Sequence, residues 1–327
     1  MNISDPSKKP SAFLSGGTGK IGRHLVRFLL EKNFVVKILT RKDYNPWPKE
    51  SNVKIIKGNI LDQNILKSVI AENDYVFHLA AYQNSNDNNK ENFFKTNVLG
   101  AEILLKTCLR NNVKRVVYVS STVIFKNTEK VTQNEKWELE NHANLDYYAS
   151  TKLDGLLRAR KMYNQSKGNF PIVIVFPSAV IDINSFSSSA PSTLAQRIIW
   201  EKIGGGIPGG IVNLIGKENR ILNYVIMDDL IKGIFLAAKY GGNGEEYILG
   251  GENITSRDYL RALALRQNKK VFPLRIPIFP IRVLFFFRSF LKLPSIIKAI
   301  IQNNSKNCCF SLEKAKMELG YVPEIKL

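Results

Sequence analysis

The sequence of 327 residues reads as an α/β fold: a doubly wound parallel sheet with helices on both faces, followed by a smaller C-terminal lobe. Two observations carry this reading. Short, continuously apolar runs of strand length alternate with longer segments whose apolar residues recur at helical spacing, the pattern of a parallel sheet covered on both sides. A glycine-rich turn, Gly16-x-x-Gly19-x-x-Gly22, also sits where a first strand hands over to a first helix.

The elements follow in order. Ser11–Ser15 reads as a buried strand running into the glycines, and Lys20–Lys32 as a helix with Ile21, Leu25, Phe28 and Leu29 on one face, stopped at Asn33. Further strands are expected at Phe34–Leu39, Val53–Ile56, Tyr75–Leu79, Val116–Ser120 and Pro171–Phe176. A long helix is expected over Asn92–Asn111, and another carries Tyr148 and Lys152 as far as about Ser166. After Pro177 the pattern loosens: Ser185–Ser189 and Gly204–Gly210 read as loops, with strand and helix pieces interleaved. There is no internal repeat.

Ligands on a doubly wound sheet sit beyond the carboxyl ends of its strands. Thr40-Arg41, Asn59, Ala80-Ala81 and Ser120-Ser121 fall there. In the glycine turn the first glycine permits a tight turn, the next lets backbone approach a pyrophosphate, and the last lets helix and strand pack. The helix N-terminus then offers N–H groups and the positive end of its dipole to phosphates. This is the dinucleotide-binding arrangement of a Rossmann-type sheet, built from Gly16, Thr18, Gly19, Lys20, Ile21 and Gly22. NAD is normally held by a carboxylate at the end of the second strand; here Thr40-Arg41-Lys42 stands before Asp43. A guanidinium suits a 2′-phosphate, so NADP is preferred over NAD; the alternative is that Arg41 is a solvated loop residue.

Tyr148-Ala149-Ser150-Thr151-Lys152 puts a phenol and an ammonium one helical turn apart on one face. In this order after the glycine turn, with Ser120-Ser121 between, the set describes a hydride-transfer site. A nearby ammonium lowers a phenol's pKa, which would let Tyr148 exchange a proton near neutral pH. His78 reads as a packed residue at a strand end rather than a catalyst.

The formal net charge is +19. Such a balance fits nucleic acid, a membrane surface or an anionic ligand, or plain drift towards lysine in a sequence rich in Asn, Ile and Lys. From Arg261 to Ile300 there are nine Lys or Arg and no Asp or Glu. Three cysteines and three histidines form neither a disulfide framework nor a zinc spacing, which fits a reducing, cytoplasmic setting and no metal. Signal-peptide and membrane-spanning runs are not found.

The chain resembles the extended short-chain dehydrogenase/reductase family, also called the NAD-dependent epimerase/dehydratase family. The resemblance rests on the glycine turn with His78-Leu79-Ala80-Ala81, Tyr118-Val119-Ser120-Ser121 and Tyr148-x-x-x-Lys152. It continues through Val225-x-x-Asp228-Asp229, Tyr247-Ile248-Leu249-Gly250-Gly251-Glu252-Asn253, Lys314-Ala315 and Glu318-Leu319-Gly320-Tyr321. The stretch from Tyr247 to Asn253 is most similar to the dihydroflavonol reductase-like and 3β-hydroxysteroid dehydrogenase-like branches. The resemblance implies that Ser121 orients a carbonyl, Tyr148 gives or takes the proton, and Lys152 binds the nicotinamide ribose and tunes the tyrosine. It adds Asn59, Ile60, Leu79, Ala80, Ala81, Pro177 and Ser178 to the cofactor site, with Asn59 standing where an adenine-contacting Asp is usual. Phe176 replaces a usual Arg, Phe125 a usual Tyr, and Leu222-Asn223 a usual Arg-Asp; the last two count against a nucleotide-sugar substrate. It also implies a dinucleotide-binding unit over residues 1–177, to which later segments return, and a mainly substrate-binding lobe over 178–327.

In residues 276–293, five phenylalanines are interleaved with Arg282, Arg288 and Lys292. The segment reads as a lid helix over the substrate pocket, or as a membrane-surface helix that would suit a lipid-like substrate. No nucleic-acid recognition module is present. The expected partners are a small molecule, hydrophobic or lipid-linked, and a second copy of the chain in a homodimer. Three functions compete: an NAD(P)-dependent reductase or dehydrogenase of a ketone, aldehyde or alcohol; an epimerase or dehydratase of a nucleotide- or lipid-linked sugar; and a non-catalytic dinucleotide sensor. The intact Ser121, Tyr148 and Lys152 argue against the sensor.

Overall fold

In the protein, seen here as a computed structural model, residues 9–70, 75–83, 89–126, 131–183, 220–266 and 307–326 are described. The loops expected at Ser185–Ser189 and Gly204–Gly210 and the aromatic segment 276–293 lie outside them.

Seven strands make one sheet, all paired in parallel. They are β1 (Ser11–Ser15), β2 (Val35–Thr40), β3 (Val53–Lys57), β4 (Tyr75–His78), β5 (Arg115–Val119), β6 (Ile172–Pro177) and β9 (Glu246–Leu249), in the order β3-β2-β1-β4-β5-β6-β9. The order reverses between β1 and β4, so the crevice of the doubly wound sheet lies at their carboxyl ends. Side chains alternate along each strand between two cores. On β1, Ala12 and Leu14 face one layer and Phe13 the other. The first layer is built from α1 (Lys20–Glu31), α6 (Met227–Tyr240) and α8 (Glu313–Leu319). The second is built from α2 (Gln63–Val69), α4 (Ala101–Arg110) and α5 (Tyr147–Gln165).

Local chemistry sets the ends of these elements. Helix α1 buries Gly22, Leu25, Val26 and Leu29 and ends at Lys32. Asn33 then takes the left-handed conformation at φ 61°, as its place in the sequence anticipates, and Phe34 N–H bonds back to Leu29 O at 3.0 Å. Asp62 caps α2 and Asp146 caps α5 through their side chains.

The long helix expected over Asn92–Asn111 is interrupted. It runs as α3 (Lys90–Phe94), a π-helical turn over Lys95–Gly100, and α4. The wide turn brings Asn97 inward, where it is buried and fully bonded.

At Ser178 the chain leaves the first sheet for a second. Here β7 (Ala179–Ile181) pairs in parallel with β8 (Ile221–Ile226), and β8 is antiparallel to β10 (Asn253–Thr255). A separate small core of Ile181, Leu222, Tyr224, Ile226 and Tyr259 lies under α7 (Ser256–Arg266). Helix α6 and strand β9 come later in sequence than β8, yet β9 pairs with β6 in the first sheet and α6 packs in the first core layer. No described helix is long and apolar enough to cross a membrane.

Candidate active site

The glycine turn closes tightly on the end of β4. Gly16 has φ +80°, and a Cβ there would stand 2.6 Å from Ala80 N. A Cβ on Gly22 would stand 2.6 Å from Gly17 Cα, so helix and turn touch. A Cβ on Gly19 meets only Gly16 O, at 3.1 Å, which leaves its outer side open to an approaching phosphate. Gly19 is the N-cap of α1, and no side chain caps that end. Lys20 is exposed beside it, and Ile21 packs on the first core layer. Thr18 O accepts from Arg23 Nε at 3.0 Å, so Arg23, a residue the sequence reading passed over, stands against the turn. Its guanidinium lies 5.6 Å from the Tyr44 ring centre. These residues fit a dinucleotide pyrophosphate: tight backbone inside, open backbone outside, and free helix N–H groups.

Around the rim, Thr40 Oγ1 accepts from Lys42 N at 3.2 Å, which curls the chain and leaves Arg41 exposed. The next carboxylate, Asp43, accepts from Lys57 Nζ at 2.8 Å. Asn59 Oδ1 accepts from Leu61 N at 3.1 Å, so one side of its amide is engaged in its own turn. Ile60 buries its side chain in the second core layer, which leaves its backbone for any cofactor contact. Leu79 and Ala80 are half-buried and Ala81 is exposed.

Ser121 and Tyr148 come from different elements and line one cavity of about 320 Å³. Ser121 follows β5 in extended backbone and caps a short 3₁₀ turn, its Oγ accepting from Val123 N at 3.4 Å. Tyr148 lies in the first turn of α5, whose start is fixed by Asp146 Oδ1 accepting from Ala149 N at 2.7 Å. Thr122 Oγ1 donates to Pro177 O at 3.2 Å and ties the ends of β5 and β6 together. Ser178 also lines the cavity, its buried Oγ having no hydrogen-bond partner among the described residues.

Lys152 is buried one turn after Tyr148, and its Nζ donates to Val119 O at 2.6 Å. Burial lowers its pKa to about 8. Burial, with Asp146 adding to it, pushes the Tyr148 phenol up to about 12. The direction is opposite to the expectation that the lysine pulls the phenol towards neutrality: loss of water dominates, and Tyr148 is held protonated.

His78 is packed as expected. Its Nδ1 shares a 2.6 Å hydrogen bond with Ser15 Oγ, and its ring lies 5.4 Å from that of Tyr118. Burial, then the Lys152 charge, lowers its pKa to about 3, so it is neutral.

The sequence reading missed Asn97, which braces the site. Its Oδ1 accepts from Tyr82 N at 2.6 Å, and its Nδ2 donates to Tyr82 O at 3.1 Å and to Thr151 Oγ1 at 2.9 Å. The segment after β4 is thereby pinned to α5. The residues noted as departures also meet. Phe125 packs on Phe176 at 5.1 Å between ring centres and on Phe310 at 6.1 Å. Asn223 Nδ2 donates to Gly251 O at 3.1 Å and to Asn253 Oδ1 at 2.8 Å, so its amide joins β8 to β10. Among the described residues no cluster of His, Cys, Asp or Glu is placed to hold a metal.

A parallel sheet with a glycine turn at its reversal point and a serine–tyrosine cavity two strands away is the framework of a dinucleotide-dependent enzyme. Residues 12–250 match the NAD dependent epimerase/dehydratase family, and the chain belongs to that family. It is 26% identical over 268 residues to dTDP-D-glucose 4,6-dehydratase of Dictyostelium discoideum, covering 76% of this chain and 60% of that one. The chain thus spans less than two thirds of that relative's length. It is 24% identical over 345 residues to the decarboxylating sterol-4-alpha-carboxylate 3-dehydrogenase of Mus musculus, covering 99% and 89%. A solved dTDP-glucose 4,6-dehydratase of Streptomyces venezuelae, with NAD bound, has the same fold at TM-score 0.70 and 22% identity, covering 97% and 92%.

Proposed function

We propose that the protein is an NAD(P)-dependent oxidoreductase that reduces a ketone or aldehyde, or runs the reverse oxidation of an alcohol. The observation that supports this best is Ser121 and Tyr148 on one cavity wall, with Lys152 one turn behind the tyrosine. In this reading the hydroxyls of Ser121 and Tyr148 hold the carbonyl oxygen. The nicotinamide supplies the hydride when bound. Tyr148, held protonated, gives its proton to the developing alkoxide, while Lys152 turns from Val119 O to the nicotinamide ribose. Gly16, Thr18, Gly19, Lys20, Ile21, Gly22, Asn59, Ile60, Leu79, Ala80 and Ala81 form the dinucleotide site, with Pro177 and Ser178 at its nicotinamide end. The second sheet with α7 forms the substrate lobe.

Reduction fits the cavity better than dehydration does. Eliminating water needs a further acid–base pair, and among the described residues both carboxylates of the cavity wall have local partners. Asp146 caps α5, and Glu140 Oε1 accepts from Asn144 Nδ2 at 3.1 Å and from Asn141 N at 2.9 Å. NADP is the preferred cofactor, because Arg41 is exposed at the rim and Asp43 is paired with Lys57. The free cysteines suit a reducing cytoplasm. A homodimer, and membrane contact through 276–293, complete the proposal as expectations from sequence. Turnover of Tyr148→Phe with saturating cofactor tests it, and unimpaired turnover would refute it. Net NADPH consumption separates a reductase from an epimerase, which returns its hydride.

A further inference from the structure

We infer that Gln133 selects the substrate: its amide oxygen receives a hydroxyl carried by an otherwise apolar carbonyl compound, apart from the reacting carbon. The inference rests on the reading of this cavity as the substrate site and goes further by naming the substrate class and a residue that recognises it.

Gln133 lines the cavity that holds Ser121 and Tyr148, together with Phe125, Leu222 and Phe310, on which an apolar substrate body would pack. Its backbone is tied on both sides. Its N–H donates to Cys309 O at 2.9 Å, and its carbonyl accepts from Ser311 N at 2.8 Å, so it stands as a bridge residue beside Phe310. The side chain is anchored as well: Nε2 donates to Lys126 O at 2.5 Å. The same carbonyl accepts from Trp137 Nε1 at 2.8 Å.

These bonds settle which way the amide points. A carbonyl oxygen accepts and never donates, so the nitrogen end of Gln133 must face Lys126, which stands outside the cavity lining. The oxygen end is left on the cavity side. The residue is 2% exposed, and among the described residues no donor reaches its Oε1. Asn223, an amide of the same lining, differs: its Oδ1 accepts from Gly251 N at 3.2 Å, and its Nδ2 is bonded twice. An acceptor held still among apolar side chains gains from a donor brought to it, and a substrate with a methyl at that place leaves it unpaired. A hydroxyl supplies that donor without bringing charge to the apolar wall. Because the amide is fixed beforehand, little ordering opposes the bond.

The test uses the full chain saturated with NADP⁺, which has no hydride to give, and measures ketone binding by calorimetry. The probes are the ring-hydroxylated isomers of benzylacetone, each paired with the isomer that carries a methyl in place of the hydroxyl. Wild type should bind at least one hydroxyl ketone about tenfold more tightly than its methyl partner. Gln133→Met, with Gln133→Leu as a second variant, removes the acceptor and should bring that ratio close to one while the Kd for NADPH stays within about threefold. Trp137→Phe removes the other donor to Lys126 O but leaves the Gln133 oxygen, and should keep the wild-type ratio. No hydroxyl preference in any pair, a preference unchanged without Gln133, or one lost equally in Trp137→Phe would overturn the inference. NADPH oxidation is followed separately. A Gln133-dependent preference in binding without oxidation of any ketone would keep the subsite and remove the reductase reading. Oxidation of hydroxyl and methyl ketones alike, with equal binding, would do the reverse.

Discussion

The Lys152 ammonium donates to the Val119 carbonyl at 2.6 Å, joining the first turns of α5 to the end of β5. The pair holds a lysine in a place without water, and burial lowers its pKa to about 8 from 10.5. Between these values the unfolded chain binds the proton and the folded chain does not. The cost of the buried charge is therefore full below about pH 8, and stability recovers as pH rises towards 10.5. The whole span amounts to about 3 kcal/mol. Urea melts of Lys152→Met should lose this rise, and the variant should also lose at least about tenfold in hydride transfer.

Tyr148 is pushed up to about 12 by burial, so it stays a proton donor through the physiological range. Carbonyl reduction should show no loss of rate assignable to this phenol below about pH 9. Tyr148→Phe should lower kcat by about 10²- to 10⁴-fold while leaving the Kd for NADPH within about threefold. A variant that binds cofactor normally and turns over at the wild-type rate would remove Tyr148 from the chemistry.

His78 is kept neutral, its pKa lowered from 6.5 to about 3. Below about 6.5 the unfolded chain takes up a proton that the folded chain refuses, so stability falls as pH falls through this window. The contribution approaches about 1.4 kcal/mol per pH unit in the middle of the window. His78→Gln should flatten this acid limb in urea melts at successive pH values. An unchanged limb would mean that another group titrates there.

Asn97, a buried side chain, makes three hydrogen bonds that tie the segment after β4 to α5. Asn97→Ala leaves Tyr82 N and O without these partners and should cost about 2–4 kcal/mol by urea denaturation. Thr151→Val, which removes one of the three bonds, should cost about 1 kcal/mol.

Arg41 is an exposed cation beyond β2, followed by the exposed Lys42 and an Asp43 already paired with Lys57. Arg41→Ser should lower the preference for NADPH over NADH by at least about tenfold, read as the ratio of the two Kd values. An unchanged ratio would return Arg41 to the role of a solvated loop residue.

Much of the fold was legible because local sequence dictates it. Alternating apolar runs located the first six strands, and Asn33 marked the end of α1 because few other residues accept its backbone. The seventh strand, Glu246–Leu249, was not singled out: it is short, and only pairing with β6 gives it a place. The π turn at Lys95–Gly100 hid inside a helical pattern, since one wide turn hardly disturbs the spacing. In the site, Ser121 and Tyr148 were legible as a pair because their residue types and order are distinctive. What escaped depends on distant contacts. The protonated state of Tyr148 follows from burial, which no spacing reveals. Asn97 finds Thr151 54 residues away. Phe125 and Phe176, noted separately as departures, pack on each other.

Titration of the purified full chain with NADPH and NADH, followed by nicotinamide fluorescence, decides whether the glycine turn and the Ser121–Tyr148 cavity serve one bound dinucleotide. The expected result is saturable binding of one molecule per chain, with NADPH held more tightly than NADH. Absence of saturable binding by either would contradict the account.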